Sequence, residues 1–222
     1  AGFKIIFLQP DPKTGVPDLE QLKAVAGPKT AGYIVANPED TGVYNSHVKE
    51  FVDYIHSIGG LCAYDQANAN GLLGVTRARD AGFDMCFFNL HKTFSTPHGG
   101  GGPGSGAVGC KNILKPFLPS PTVVGEEGAL RLEQDNPQSI GAVKAFYGNF
   151  LVVVRALTYL MTLGKEGVPE ASSNAVLNCN YMMNHLKDVY DIAFDTGCMH
   201  EFVMTLANLK KEKGVSAMDV AK

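Results

Sequence analysis

The sequence predicts an α/β fold with a mostly parallel sheet, followed by the start of a small α+β domain. Three observations carry this. Four short apolar runs, Ala31–Asn37, Leu61–Asp65, Met85–Asn89 and Gly106–Cys110, are bounded by turn residues, as buried strands are. Helical spacing separates the first two runs, and strand–helix–strand alternation with short links builds parallel sheets. Beyond Lys187 the elements become short and alternating, the mark of a different domain type.

In chain order, Lys4–Leu8 reads as an apolar strand and Ala31–Asn37 as the next. Asn45–Ile58 places Val48, Phe51, Val52, Ile55 and Ile58 on one helical face, and Gly59-Gly60 ends it. The strand Leu61–Asp65 follows, then a short helix over Arg77–Ala81 and the strands Met85–Asn89 and Gly106–Cys110. Pro116–Gly128 is rich in proline and glycine and reads as a surface excursion. A long apolar helix is expected from Ser139 to Leu163, opened by Pro137, Gln138 and Ser139, and another over Pro169–Leu186. Asp188–Phe194 and Glu201–Leu206 alternate as short strands, and Ser216 with Asp219 forms a capping box for a last helix. The expected division is 1–136 (part of a large domain), 137–186 (connecting helices) and 187–222 (part of a small domain). The start at Ala1 without methionine and the helix opening at the far end read as an internal fragment of a longer protein.

Composition narrows the function classes. At 45% hydrophobic and 18% charged residues, the chain is an ordinary globular enzyme in composition. A net charge of −3 gives no electrostatic footprint for nucleic acid or an anionic membrane. The apolar run Phe150–Leu163 is too short to span a bilayer and carries Arg155 in its middle. No signal peptide opens the chain. The five cysteines show no CxxC pairing, so neither a zinc site nor a disulfide framework is supported, and a reducing cytoplasm is expected.

The stretch NLHKTFSTPHGGGGPG, residues 89–104, carries the chemistry. Lys92 stands between an apolar strand and a glycine-rich loop, beside His91 and before His98. A lysine in such a setting loses its proton readily and becomes a nucleophilic amine, as a Schiff base requires. Pyridoxal phosphate chemistry needs that lysine, an acid against the pyridine nitrogen and a cradle for the phosphate. Asp65 ends the preceding strand and supplies the acid, since sites in open α/β sheets gather at the carboxyl ends of strands. The bland alternatives are a capping aspartate and a solvated lysine; Asn37, Asp65 and Lys92 on successive strand ends argue against them together. GSGAVG, 104–109, fits a dinucleotide fingerprint, but a strand overlaps it where a helix should open. No GK[ST] follows for a Walker loop. The run Gly99, Gly100, Gly101 and Gly102 lets the backbone pass close to a ligand or partner.

The lysine stretch resembles the lysine motif of glycine decarboxylase, the P-protein of the glycine cleavage system. CAYDQANANG, 62–71, is similar to that family's aspartate motif, and SIGAVKAFYGNFLVVVRA, AVLNCNYMMNHLK and CMHEFV are similar to its downstream segments. They match best the catalytic second subunit of the two-chain form. The resemblance implies a fold-type-I, pyridoxal-phosphate-dependent transferase fold and glycine dehydrogenase (aminomethyl-transferring) activity. It implies that Lys92 holds pyridoxal 5'-phosphate as a Schiff base, that Asp65 pairs with the pyridinium nitrogen and that Ala67 packs on the ring. Asn37 would meet the cofactor's 3′-oxygen, His91 and Thr93 would flank it, and His98 with Gly99–Gly102 would shape the substrate pocket. Gln66 stands where the family more usually has glycine, and Phe87 where histidine is common. The implied partners are glycine, a lipoylated H-protein and the other P-protein subunit in an oligomer. Nothing before Ala31 supplies a phosphate loop, so this fragment is expected to hold the lysine half of the site and to show little activity alone. Two alternatives stand: another fold-type-I enzyme such as a cysteine desulfurase, for which no cysteine is well placed, or a non-catalytic interaction fragment.

Overall fold

A computed structural model describes residues 2–222. The central sheet has four strands, β1 (Gly32–Ala36), β2 (Leu61–Gln66), β3 (Met85–Asn89) and β4 (Gly106–Cys110), in that spatial order. β1, β2 and β3 run parallel and β4 is antiparallel to β3. The three parallel strands therefore end on one edge of the sheet, with Ala36 opposite Asp65 and Asp65 opposite Phe87.

Side-chain alternation decides which face of the sheet is covered. Tyr33 and Val35 of β1, with Cys62 and Tyr64 of β2, point inward, whereas Ile34 is 77% exposed on the other face. The helix α2 (Val48–Ser57) lays Val48, Phe51, Val52 and Ile55 onto the inward face, beside Leu22 of α1 (Leu19–Val25). Asp18 caps α1 by accepting the Glu20 N–H at 3.1 Å. Complete burial of Phe51 and Ile55 contributes about 1.5–3 kcal/mol each. The outer face leaves Ile34, Leu61, Met85 and Val108 exposed, although strands in parallel sheets are ordinarily covered on both sides.

Three expected elements differ. Lys4–Leu8 forms no strand: Ile5 and Phe7 are exposed, no strand among the described residues lies alongside, and Leu8 touches the core. Just after it, two hydrogen bonds join the Gln9 backbone to the Gln21 side chain. Arg77–Ala81 is a chain of turns, fastened by an Arg77–Asp80 ion pair at 2.8 Å, and Gly82 turns the chain directly after it at φ 90°. The long helix does not begin at Ser139. Gly141 and Gly148 have φ of 84° and 99°, which no right-handed helix accommodates, so α4 (Phe150–Leu186) starts behind an Asn149 cap. The expected gap before Pro169 survives as a break at Gly164, with φ 66° and ψ −169°.

The one-turn helix α3 (Leu90–Thr93) links β3 to the glycine loop. A 3₁₀ turn over Asn112–Phe117 and a hairpin of β5 (Thr122–Val124) with β6 (Arg131–Glu133) fill the proline-rich excursion. The expected strands of the last part shrink to β7 (Asp191–Ile192) and β8 (Met204–Thr205), paired antiparallel, because the chain between them turns away to pack on α4 and the β1 loop. They are followed by α5 (Ala207–Lys213) and α6 (Ala217–Ala221). Asp219 accepts from the Ser216 N–H at 2.9 Å at the start of α6. Among the described residues no helix is long and apolar enough to cross a membrane.

Candidate active site

Asn37 follows β1, Asp65 is the penultimate residue of β2, and Lys92 lies three residues beyond the end of β3, so all three stand at the carboxyl edge. Each is held differently. Asn37 is buried; its Nδ2 donates to Asn45 O at 3.0 Å and its Oδ1 accepts the Asn45 N–H at 2.8 Å. The Tyr64 hydroxyl donates to the Asn37 carbonyl, bracing this loop against β2. Asp65 is half-buried, and its Oδ1 accepts the Ala67 N–H at 2.9 Å in an Asx turn. No protein donor meets its Oδ2 among the described residues.

Lys92 does not end a buried strand, as its sequence setting suggests; it occupies the exposed face of α3. The turn that carries it is nonetheless fixed on three sides. Ala67 O accepts from the Asn89 N–H at 3.2 Å, and Thr93 Oγ1 accepts the Ala69 N–H at 2.8 Å. Leu90 N–H donates to Ser105 O at 2.9 Å, and the Thr96 hydroxyl closes back onto the Leu90 carbonyl. Ser95, between Lys92 and His98, is the only described residue other than glycine with a positive φ, 57°. Arg155 of α4 donates to its carbonyl at 3.3 Å, above a cleft of about 280 Å³ lined by Ser95, Arg155, Thr158, Tyr159 and Thr162.

His91 and His98 meet edge to face with ring centroids 4.6 Å apart. His91 Nδ1 lies 3.3 Å from the Ser105 N–H and His98 Nδ1 accepts the Gly101 N–H at 3.0 Å. The glycine run is built for this turn. Gly99 and Gly100 take φ of 65° and 77°, and a Cβ on Gly102 would lie 2.4 Å from His98 O. The overlap of GSGAVG with a strand is real, since Gly106 begins β4 opposite Asn89.

A second polar cluster sits at the amino edge of the sheet, away from these loops. Asp84, 3% exposed, accepts from Cys62 N–H at 2.7 Å and Lys111 Nζ at 2.9 Å, and lies 2.8 Å from His56 Nε2. Burial pushes its carboxyl up, but the bonds from Lys111, His56 and Cys62 outweigh it and hold the carboxyl below its ordinary range. Pattern reading missed this cluster because its members come from four separate elements. The Thr93–Ala69 and Asn37–Asn45 bonds were missed for the same reason, although threonine beside the lysine was a visible signal. His200 was also missed: its side chain is buried, its Nε2 lies 3.3 Å from Glu201 Oε1 outside hydrogen-bonding geometry, and its Nδ1 has no hydrogen-bond partner among the described residues. Burial lowers its affinity for a proton.

The family model described as glycine dehydrogenase, C-terminal domain, matches residues 171–222. A probable glycine dehydrogenase (decarboxylating) subunit 2 of Treponema denticola is 52% identical over 213 residues, 96% of this chain and 44% of that protein. The protein of the same description from Desulforamulus reducens is 47% identical, covering 100% of this chain and 46% of its own length. Among solved structures, a cysteine desulfurase from Thermococcus onnurineus superposes with a TM-score of 0.62 at 17% identity, over 99% of this chain and 53% of the other. A sphingosine-1-phosphate lyase from Burkholderia pseudomallei gives 0.59 at 12% identity, over 86% of this chain and 43% of the other. At such identities these structures show the fold alone, the fold-type-I α/β architecture. The chain spans less than half the length of the curated relatives it matches. With near-half identity sustained from the β1 strand to the last helix, the chain belongs to the family of glycine dehydrogenase (decarboxylating) subunit 2.

Proposed function

We propose that this chain carries the lysine half of a pyridoxal-phosphate site. The protein it represents decarboxylates glycine in the cytoplasm and transfers the aminomethyl group to the lipoyl arm of an H-protein, working with the other P-protein subunit. The observation that carries the reading is that Asp65 near the end of β2 and Lys92 on α3, just past the end of the adjacent parallel strand β3, share one edge of the sheet, with α3 bonded through Thr93 to the loop after β2. The donor set fits the cofactor: an exposed primary amine on one loop and a carboxylate with an open Oδ2 on its neighbour.

Lys92 would hold the cofactor through its amine. Asp65 would accept the hydrogen bond of the ring nitrogen and, by its charge, keep the proton there. Ala67 would pack on one ring face and His91 and Thr93 would flank the amine; Asn37, buried with its carboxamide closed on Asn45, would reach the 3′-oxygen only by turning its second N–H outward. His98 and the glycines Gly99–Gly102 shape the side from which glycine and the lipoyl arm arrive. When bound, the cofactor takes up the electron pair left on the α-carbon of glycine as carbon dioxide departs.

The test is addition of pyridoxal phosphate, borohydride reduction and mass mapping. A modification fixed on Lys92 is the expected result. Modification only of other lysines, or of none, in this chain and in a full-length relative alike would overturn the reading.

A further inference from the structure

Cys179 on α4 and Cys198 in the segment between β7 and β8 have their sulfurs 3.4 Å apart. They are the only pair of cysteine sulfurs in contact among the described residues, and both are thiols. The approach is held by the neighbouring residue rather than by the sulfurs. Asn180 Nδ2 donates to Cys198 O at 2.5 Å, and Asn180 Oδ1 accepts the Cys198 N–H at 3.2 Å. One carboxamide thus clamps both backbone groups of Cys198 beside Cys179. Closing to a disulfide needs the sulfurs to approach by about 1.4 Å, within the reach of side-chain rotation.

We propose that Cys179 and Cys198 are an oxidation site that converts to an intrachain disulfide and clasps the segment before β8 onto α4. The oxidant is a small disulfide. Cys179, the more exposed thiol, displaces one thiol from it to form a mixed disulfide; the Cys198 sulfur then displaces the second. Two protein S–H bonds are lost, one S–S bond forms, and the small disulfide is reduced to two thiols. A cleft of about 440 Å³, bordered by Cys198, Asn180, Gly197 and Tyr44, opens on the Cys198 side of the pair. In a reducing compartment the pair stays as a dithiol and closes only when the small disulfides accumulate.

The clasped segment bears on the candidate site. Met199 N–H donates to Gly42 O at 2.8 Å in the loop after β1. His200 lies against Gly71 in the loop after β2, where a Cβ would come within 3.4 Å of its Nδ1. The bridge therefore fastens both carboxyl-edge loops through one segment, independently of any glycine chemistry. Burial pushes the Cys198 thiol up to about 12 and raises Cys179, so thiolate is scarce at neutral pH. Closure is slow there, and its rate rises by about tenfold per pH unit below the thiol pKa.

The native chain is equilibrated with oxidised and reduced glutathione, alkylated and digested with trypsin without reduction. Cleavage after Lys187 separates the two cysteines into peptides 166–187 and 188–210, each holding one of them. These peptides should emerge joined, about tenfold in excess of any other cysteine pair, because the fold sets their effective concentration. The excess should disappear when the chain is oxidised in urea, and Asn180→Ala should reduce it several-fold in a chain that still folds. Recovery of only glutathione adducts, or the same pairing pattern in native and unfolded chain, would overturn the proposal.

Discussion

Thr93 Oγ1 accepts the Ala69 N–H at 2.8 Å, so the turn that carries Lys92 is bonded to the loop that follows Asp65. Ala69 is buried, and without this acceptor its N–H has no protein partner among the described residues. Thr93→Ala should cost about 1–2 kcal/mol, a drop of about 2–8 °C in melting midpoint, and should slow modification of Lys92. Thr93→Ser keeps the oxygen and should restore both. Equal melting and equal labelling in all three chains would show that the bond positions nothing.

Lys92 is exposed, so Lys92→Ala should leave stability within about 0.5 kcal/mol while removing the borohydride-fixed modification. Asp65→Asn separates charge from shape. Its Oδ1 can still accept the Ala67 N–H, so the turn folds, but the carboxylate charge is gone. In a full-length relative the matching change should retain some cofactor and lose turnover by about a hundredfold or more. Near-normal turnover would refute the electronic role.

Strands β1, β2 and β3 were legible as short apolar runs bounded by turn residues, although only one face of the sheet is covered here, and the helix over α2 because one face repeats every turn. Lys4–Leu8 has the same apolar content and no strand; pairing needs a neighbour, and composition does not say whether one exists. The Ser139–Leu163 expectation failed on two glycines whose positive φ is a property of the turn, invisible in a hydrophobic pattern. The shared position of Asp65 and Lys92 was legible because a parallel sheet collects strand ends on one edge. Asp84 with His56 and Lys111, and Cys179 with Cys198, join residues 19 to 28 positions apart, where only the folded chain reveals the contact.

Asp84 predicts an acid-sensitive contribution to stability. Its folded-state carboxyl is held below the unfolded value of about 3.9, so its contribution is complete above about pH 4. It is lost as pH falls through the folded value. Asp84→Asn should cost about 1–3 kcal/mol at pH 7, toned down from a fully buried pair because His56 and Lys111 are partly exposed. Urea denaturation should then show a flatter pH dependence below pH 4 in the variant. Parallel curves for the two chains would remove Asp84 from the acid transition.

Gly42 is the tightest point between the loop after β1 and the segment of Cys198. Its φ is 83°, and a Cβ there would fall 1.7 Å from the Glu201 carbonyl oxygen, a backbone atom that cannot rotate aside. Gly42→Ala should therefore cost about 3–4 kcal/mol, with the melting midpoint falling by about 10 °C. It should also expose the segment between β7 and β8 to proteolysis before the core, because that segment loses its seat on the loop. Gly101→Ala is the matched control: a Cβ there meets nothing within 4 Å, and the change should stay within about 0.5 kcal/mol. Similar melting shifts in the two variants would mean that the segment is not seated on Gly42.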